Sequence, residues 1–264
     1  MFKVIDLSKK GKNYQVIVKN SDKEKTFLVS EDLVIEYRLV TGKEFDQRQM
    51  DKLLEEINRD AIYQKVLKYA LFKPRTKKEI FVYLDKLKIE KFGYYITKLE
   101  KVKLLNDDLY AKNYIDDGIN FKKIGPRKIS EDLKLKGIQE DKIVLYLESY
   151  NQATIYDNIK YNLEKKMKSI SNKTFLQAKK VLINFLLNKG FDYNDINYQI
   201  NNSLDLINKY VDESKIIKKE IIYLQEKYHK KEQKLPLKQY LIQKLLAKGY
   251  QYNIIKEYLE GSNK

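Results

Sequence analysis

The 264-residue chain has no cysteine, no tryptophan, one histidine and three prolines, and only five of its 53 basic residues are arginine. Without cysteine there is no disulfide framework and no thiolate chemistry. No apolar run approaches the ~20 residues that a membrane-spanning helix needs. The first residues, MFKVIDLSKKGK, alternate in polarity and lack the apolar block of a signal peptide. These absences point to a cytoplasmic protein. No phosphate loop of the G-x-x-x-x-G-K-[ST] or G-x-G-x-x-G type occurs, and no metal-ligand spacing. His229 stands between Tyr228 and Lys230 in a charged stretch with no serine or cysteine partner suggested nearby, so it reads as a surface histidine. The pairs Asp107-Asp108 and Asp116-Asp117 do not make a metal site, because adjacent helical residues point about 100° apart. The first pair reads as a helix start capped by Asn106 or Asp107; the second closes a helix before Gly118. Neither an enzyme, nor a cofactor, nor a bound metal is expected.

What the chain has in surplus is positive charge, +16 at pH 7 with an isoelectric point near 9.4. An AT-rich coding bias turns arginine into lysine, but it does not by itself create an excess of base over acid. A polyanionic partner, nucleic acid or a complex containing it, is the natural reading, with a merely soluble charged surface as the plain one. A hydrophobic content of 43% argues against disorder.

Residues 2–29 carry three short β-type runs, Phe2–Leu7, Tyr14–Val18 and Thr26–Val29, separated by polar turns. A three-stranded meander is expected. Ser30-Glu31-Asp32 then starts a helix that should stop near Thr41-Gly42. From Asp46 the apolar spacing is helical: Met50, Leu53, Leu54, Ile57, Ala61, Ile62, Val66, Leu67 and Ala70 form one stripe. The expected division is 1–57, a small β region plus helix, and 58–264, a helical repeat domain.

The repeat is read from glycine. Around Gly137, apolar residues sit eight and four before (Ile129, Leu133) and six and ten after (Ile143, Leu147). Gly190 has Leu182, Leu186, Ile196 and Ile200; Gly249 has Leu241, Leu245, Ile255 and Leu259. An earlier copy, Ile80, Leu84, Phe92 and Ile96, has a shorter turn and no glycine. Spacing of four puts each pair on one helix face, and the glycine permits a left-handed stop. Successive copies leave room for a third helix, with Leu104–Ile115 and Ala153–Leu163 as candidates. Approximate modules are 58–117, 118–170, 171–234 and 235–261, and the expected fold is mainly α: three-helix modules stacked in a curved array. Pro74, Pro126 and Pro236 each precede the first helix of a module; Ser171-Asn172 would cap the remaining one. Val211–Lys234 reads as one long charged helix.

The binding candidates lie at two of these helix starts. Lys122, Lys123, Arg127 and Lys128 surround Gly125-Pro126, where outward backbone N–H groups would also favour an anion. Lys73, Arg75, Lys77 and Lys78 surround Pro74. Two of five arginines directly after two of three prolines suggest guanidinium recognition of phosphate or carboxylate, against packing of the planar group on a helix end. Of the 22 tyrosines, Tyr69, Tyr83, Tyr114 and Tyr146 fall beside apolar stripes and read as core or half-buried, not as base-stacking platforms.

The run Leu104-Leu-Asn-Asp-Asp-Leu-Tyr-Ala-Lys-Asn-Tyr-Ile115, followed by Gly125-Pro-Arg-Lys-Ile129 and Leu133-Lys-Leu-Lys-Gly-Ile138, resembles the RecX family of recombinase regulators. Tyr69-Ala-Leu-Phe-Lys-Pro-Arg-Thr-Lys-Lys-Glu-Ile80 is similar to an upstream family segment, and Lys248-Gly-Tyr-Gln-Tyr-Asn-Ile-Ile255 to its later copies. The resemblance covers essentially the whole chain, in the family's long form; lysine replaces a common arginine at Lys73 and Lys123. It implies a monomeric, non-enzymatic regulator of DNA repair, recombination and the SOS response. Its partners would be a RecA-type recombinase filament and the single- or double-stranded DNA within it, with no membrane involved. The two basic clusters would face filament or DNA. A sequence-specific transcription regulator, or a helical-repeat adaptor for an acidic protein, are the alternatives from other classes.

Overall fold

The computed structural model describes residues 1–21, 23–170, 173–230 and 235–261. The chain divides into two compact units, Met1–Tyr110 and Ala111–Lys264. Among the described residues no helix is long and apolar enough to cross a membrane.

The first unit opens with strands β1 (Phe2–Lys10), β2 (Asn13–Lys19) and β3 (Glu24–Ser30), an antiparallel meander as its alternation predicts. The sheet has a fourth strand that the sequence did not reveal. Strand β4 (Glu44–Phe45) pairs Phe2 with Phe45, giving the order β3-β2-β1-β4. Two residues are too few to show a period. Helix α1 (Glu31–Glu36) is capped by the Ser30 hydroxyl as expected, but it ends well before Thr41-Gly42. Arg38 takes the left-handed conformation that stops it, and Gly42 instead serves the turn into β4, donating to the Val4 carbonyl.

Helix α2 (Gln47–Phe72) begins at an Asp46–Gln49 capping box and serves two cores in succession. Met50, Leu53 and Ile57 close the sheet core of Val4, Val16, Val18, Val29, Leu33, Leu39 and Phe45. Tyr63, Val66 and Ala70 then pack with Ile80 and Leu84 of α3 (Lys77–Lys86), Tyr95, Ile96 and Leu99 of α4 (Gly93–Lys101), and Leu105. The change of core falls inside one unbroken helix. Helix α5 (Asp107–Asp117) follows, capped by Asn106.

In the second unit α5 does not close at Asp116-Asp117 but runs on into a π turn (Gly118–Lys122), ended by Lys123 at φ 51°. Then come α6 (Pro126–Leu135), α7 (Glu140–Leu147), α8 (Gln152–Met167), α9 (Phe175–Asn188), α10 (Tyr193–Asn201), α11 (Leu204–Tyr210), α12 (Ser214–His229), α13 (Leu237–Ala247) and α14 (Tyr252–Gly261). Most template residues are core: Ile129, Leu133, Ile143, Leu182, Leu186, Ile196, Ile200, Leu241, Leu245 and Ile255 are buried, while the last positions Leu147 and Leu259 are half-buried. Each such side chain contributes about 1.5–3 kcal/mol, which a two-helix hairpin cannot realise without neighbours to cover it. The third module carries an extra short helix, α11, which accounts for its greater length. The expected Val211–Lys234 helix is only α12, since Val211 ends α11 and Glu213 precedes α12; residues 231–234 lie outside the described residues. The expected Ser171-Asn172 cap likewise lies outside them, and the cap of α9 is Thr174 in a capping box with Gln177.

Helix stops recur with one geometry. At Gly137, Gly190 and Gly249 the following N–H reaches the carbonyl five residues back, Ile138 to Leu133, Phe191 to Leu186 and Tyr250 to Leu245. This is the Schellman closure. Lys88 and Lys103 make the same closure without glycine, at φ 59° and 58°, with Ile89 donating to Leu84 and Leu104 to Leu99. A lysine there carries about 1 kcal/mol of left-handed strain. Lys88 is exposed, so Lys88→Gly should raise stability by about that amount in chemical denaturation. A loss instead would mean that the lysine side chain contributes more than the strain removes.

The modules of the second unit are joined head to tail. Gly125 and Arg127, at the start of α6, donate their backbone N–H groups to the carbonyls of Lys189 (2.8 Å) and Gly190 (3.1 Å) at the end of α9. Pro126 between them has no N–H to satisfy. The next joint repeats the idea: at the start of α9, Thr174 Oγ1 and Gln177 Nε2 donate to the Lys248 carbonyl, and Gly249 lies against Leu176. Buried Glu213 completes this joint, accepting from the N–H of Phe175 (2.6 Å) and of Gln251 (2.9 Å).

Candidate nucleic-acid interface

The cluster around Pro74 is half engaged within the fold. Arg75 has a side chain only 11% exposed; its guanidinium lies 3.9 Å from the Tyr69 ring, which stacks on Tyr83 at 4.1 Å, and it faces Glu79 at 3.6 Å. Lys77 pairs with Glu100 at 2.6 Å, and its backbone N–H donates to the Asp107 carboxylate. Lys73 and Lys78 remain exposed on the surface, beside Phe72, whose ring is 83% exposed. Arg75 therefore has the packing role on a helix end and turns its guanidinium inward.

The cluster around Pro126 is arranged differently. The start of α6 is not an open anion site, because its N–H groups at Gly125 and Arg127 are taken by the end of α9. Arg127 is exposed and held to Glu131 at 3.0 Å; Lys128 is held to Asp132 at 2.8 Å. Burial pushes the Asp132 carboxyl up, but hydrogen bonds from Lys128 and the Tyr114 hydroxyl more than offset it and hold it below its usual value. Among the described residues Lys122 and Lys123 form no ion pair; the Lys122 ammonium sits 4.1 Å from the Tyr114 ring. Tyr69, Tyr83, Tyr114 and Tyr146 are half-buried, and His229 is exposed.

Sequence reasoning missed the neighbours of Lys122 and Lys123. Two buried asparagines of α8 anchor the π turn: Asn158 donates to the Ile119 carbonyl (3.0 Å) and Asn162 to the Lys123 carbonyl (2.7 Å). That brings the end of α8, with Lys165 and Lys166, toward the turn. From α9, Lys189 donates to the Lys122 carbonyl at 3.4 Å and shares the Phe185 ring with Lys166. Burial, reinforced by Lys165, pushes the Lys189 ammonium below its usual value. Among the described residues, none of Lys122, Lys123, Lys165, Lys166 and Lys189 is paired with an acid. The available signal was the pattern of α8, where Asn158 and Asn162 occupy core-facing positions between Ile155, Ile159, Leu163 and Met167.

A family model described as RecX, second three-helix domain, matches residues 106–144, from α5 through the π turn and α6 into α7. Regulatory protein RecX of Bacillus cytotoxicus is 30% identical over 250 residues, 92% of this chain and 90% of its own. The chain belongs to the RecX family. Regulatory protein RecX of Oceanobacillus iheyensis is 27% identical over 263 residues, covering 98% of this chain and 96% of its own. A crystal structure of regulatory protein RecX superposes with a TM-score of 0.59 at 24% identity, over 74% of this chain and 97% of that one, a likeness of fold. The segment matched by the RecX family model contains Lys122, Lys123, Arg127 and Lys128; Lys165 and Lys189 join them from outside it.

Proposed function

We propose that the protein binds RecA–DNA filaments in the cytoplasm, as a monomer, and inhibits RecA's ATP hydrolysis and strand exchange. Through that restraint it would regulate recombination, DNA repair and the SOS response. The observation that carries this reading is membership of the RecX family along nearly the whole chain. The charge of +16, with Lys122 and Lys123 at the π turn and Lys189 bonded to it, supports it. A filament presents both phosphate and acidic protein surface, and the hydrogen-bonded helical modules of the second unit can engage such a surface without ordering themselves first. A protein seated there would obstruct subunit addition and the incoming strand.

The test is binding to labelled single-stranded DNA, bare and RecA-coated, followed by anisotropy. The coated strand should bind more tightly. Replacing Lys122, Lys123, Arg127 and Lys128 together with alanine should weaken that binding with unchanged thermal unfolding. Most of the loss should come from Lys122 and Lys123, which form no ion pair among the described residues. Equal affinity for bare DNA, a steep salt dependence and preference for one duplex sequence would identify a transcription regulator instead.

A further inference from the structure

Phe121 stands out within the π turn. Its ring is 81% exposed, although it belongs to a turn whose backbone is held from four directions. Ile124 N–H bonds the Gly118 carbonyl; Asn158, Asn162 and Lys189 bond the carbonyls of Ile119, Lys123 and Lys122. Gly118 is pressed against Ile129, where an added Cβ would stand 2.7 Å from Cδ1. An exposed aromatic on so fixed a backbone is displayed, at the cost of leaving a large apolar surface in water. Its chain neighbour Asn120 is exposed and polar, Lys122 follows it, and among the described residues the nearby cations form no ion pair with a carboxylate. A hydrophobic anchor for a protein partner ordinarily sits near the centre of a well-packed patch whose surrounding contacts exclude water. An exposed ring on a turn that also carries Lys122 and Lys123, with the Lys189 ammonium on the Lys122 carbonyl, fits a base that stacks while its flanking phosphates are neutralised.

We propose that the π turn is a subsite for single-stranded DNA: Phe121 stacks on one unpaired base, and Lys122, Lys123, Lys165 and Lys189 take the adjacent phosphates. Duplex DNA does not fit this description, because its base faces are already covered by their neighbours. The inference rests on the filament-regulator reading and deepens it by naming the component that this surface touches. Burial and the neighbouring Lys165 lower the proton affinity of Lys189, in accord with cations that lie close together. The π turn also belongs to a class of helix irregularity that recurs at functional sites.

The chain has no tryptophan, so Phe121→Trp introduces a single reporter. Oligothymidylate should quench its emission, whereas an abasic oligomer of equal length and a blunt duplex should leave it unchanged. Phe121→Ala should weaken oligothymidylate binding about tenfold and leave abasic binding unaltered. Unquenched emission of the Phe121→Trp variant at saturating oligothymidylate, quenching by duplex to the same extent, or unchanged affinity in Phe121→Ala would each overturn the subsite. Assaying both variants against RecA's ATPase separates the two claims. Inhibition without quenching removes the subsite and leaves the filament reading; quenching without inhibition leaves the subsite and removes the filament reading.

Discussion

Replacing Gly125 with alanine should destabilise the second unit by about 3 kcal/mol, a large effect for one methyl group. Gly125 is extended, at φ −76° and ψ 162°, so alanine meets no conformational penalty there. The cost is steric. The new Cβ would stand 2.2 Å from the Gly190 carbonyl oxygen and 2.4 Å from the Phe191 nitrogen, all backbone that cannot rotate aside. To relieve the clash, the start of α6 must leave the end of α9, and the bonds to Lys189 and Gly190 go with it. Gly190→Ala combines both penalties, since Gly190 is at φ +85° and its Cβ would lie 2.3 Å from the Lys128 nitrogen. Gly11→Ala is the control for strain alone: φ is +64° with nothing within 4 Å, and the expected cost is about 1 kcal/mol. The amides of Gly125 and Arg127 should lose hydrogen-exchange protection in both joint variants and keep it in the control. If Gly125→Ala is as stable as the parent, the joint is not a close contact in solution.

Removing the Glu213 carboxylate should have a comparable consequence one joint further on. Both of its oxygens are committed, to Phe175 N–H at the start of α9 and to Gln251 N–H at the start of α14. Each donor belongs to a helix N-terminus, where an anion is favoured and an unpartnered N–H is costly once water is excluded. Glu213→Ala leaves two such groups behind, and the expected loss is about 3 kcal/mol. Glu213→Gln retains one acceptor oxygen and should lose roughly half as much. Denaturant unfolding gives the magnitudes, and amide exchange at Phe175 and Gln251 gives the location. Full stability in the alanine variant would mean that water satisfies both donors, and that modules three and four are held by apolar contact and the bonds to the Lys248 carbonyl.

The related positions explain a feature of the sequence that periodicity left unread. In the first unit, Asp107 accepts from the N–H of Lys77, the first residue of α3, as Glu213 does for Phe175 in α9. Helix α6 has Pro126 at that position and no N–H to satisfy. A carboxylate and a proline are thus two solutions to one problem, and Asp107 does more than favour the dipole of its own helix.

The fold was legible where it depends on local rules. Apolar pairs four apart, a glycine at the left-handed stop and a capping Asn, Asp, Ser or Thr act over one or two turns, and each left its pattern in the chain. Pairings between residues far apart in sequence left none. Gly125 meets Gly190 across more than sixty positions, and from the sequence Gly125 looks like an ordinary break before a helix. The anion site expected at the start of α6 failed for this reason: its N–H groups were assigned to a ligand when a neighbouring module supplied the acceptors. The basic candidates were legible in type but not in company. Lys122 and Lys123 stood out in sequence, while Lys165 comes in because Asn158 and Asn162 hold α8 against the turn, and Lys189 because the start of α6 bonds the end of α9. For Arg75 the sequence left recognition and packing both open, because nothing in spacing shows that Tyr69 offers it a ring.

The most direct measurement is the rate of ATP hydrolysis by RecA on single-stranded DNA, titrated with this protein. A saturable fall in rate, diminished when Lys122, Lys123, Arg127 and Lys128 are replaced together by alanine, is the predicted result. A rate unchanged at every ratio of the two proteins would contradict the account.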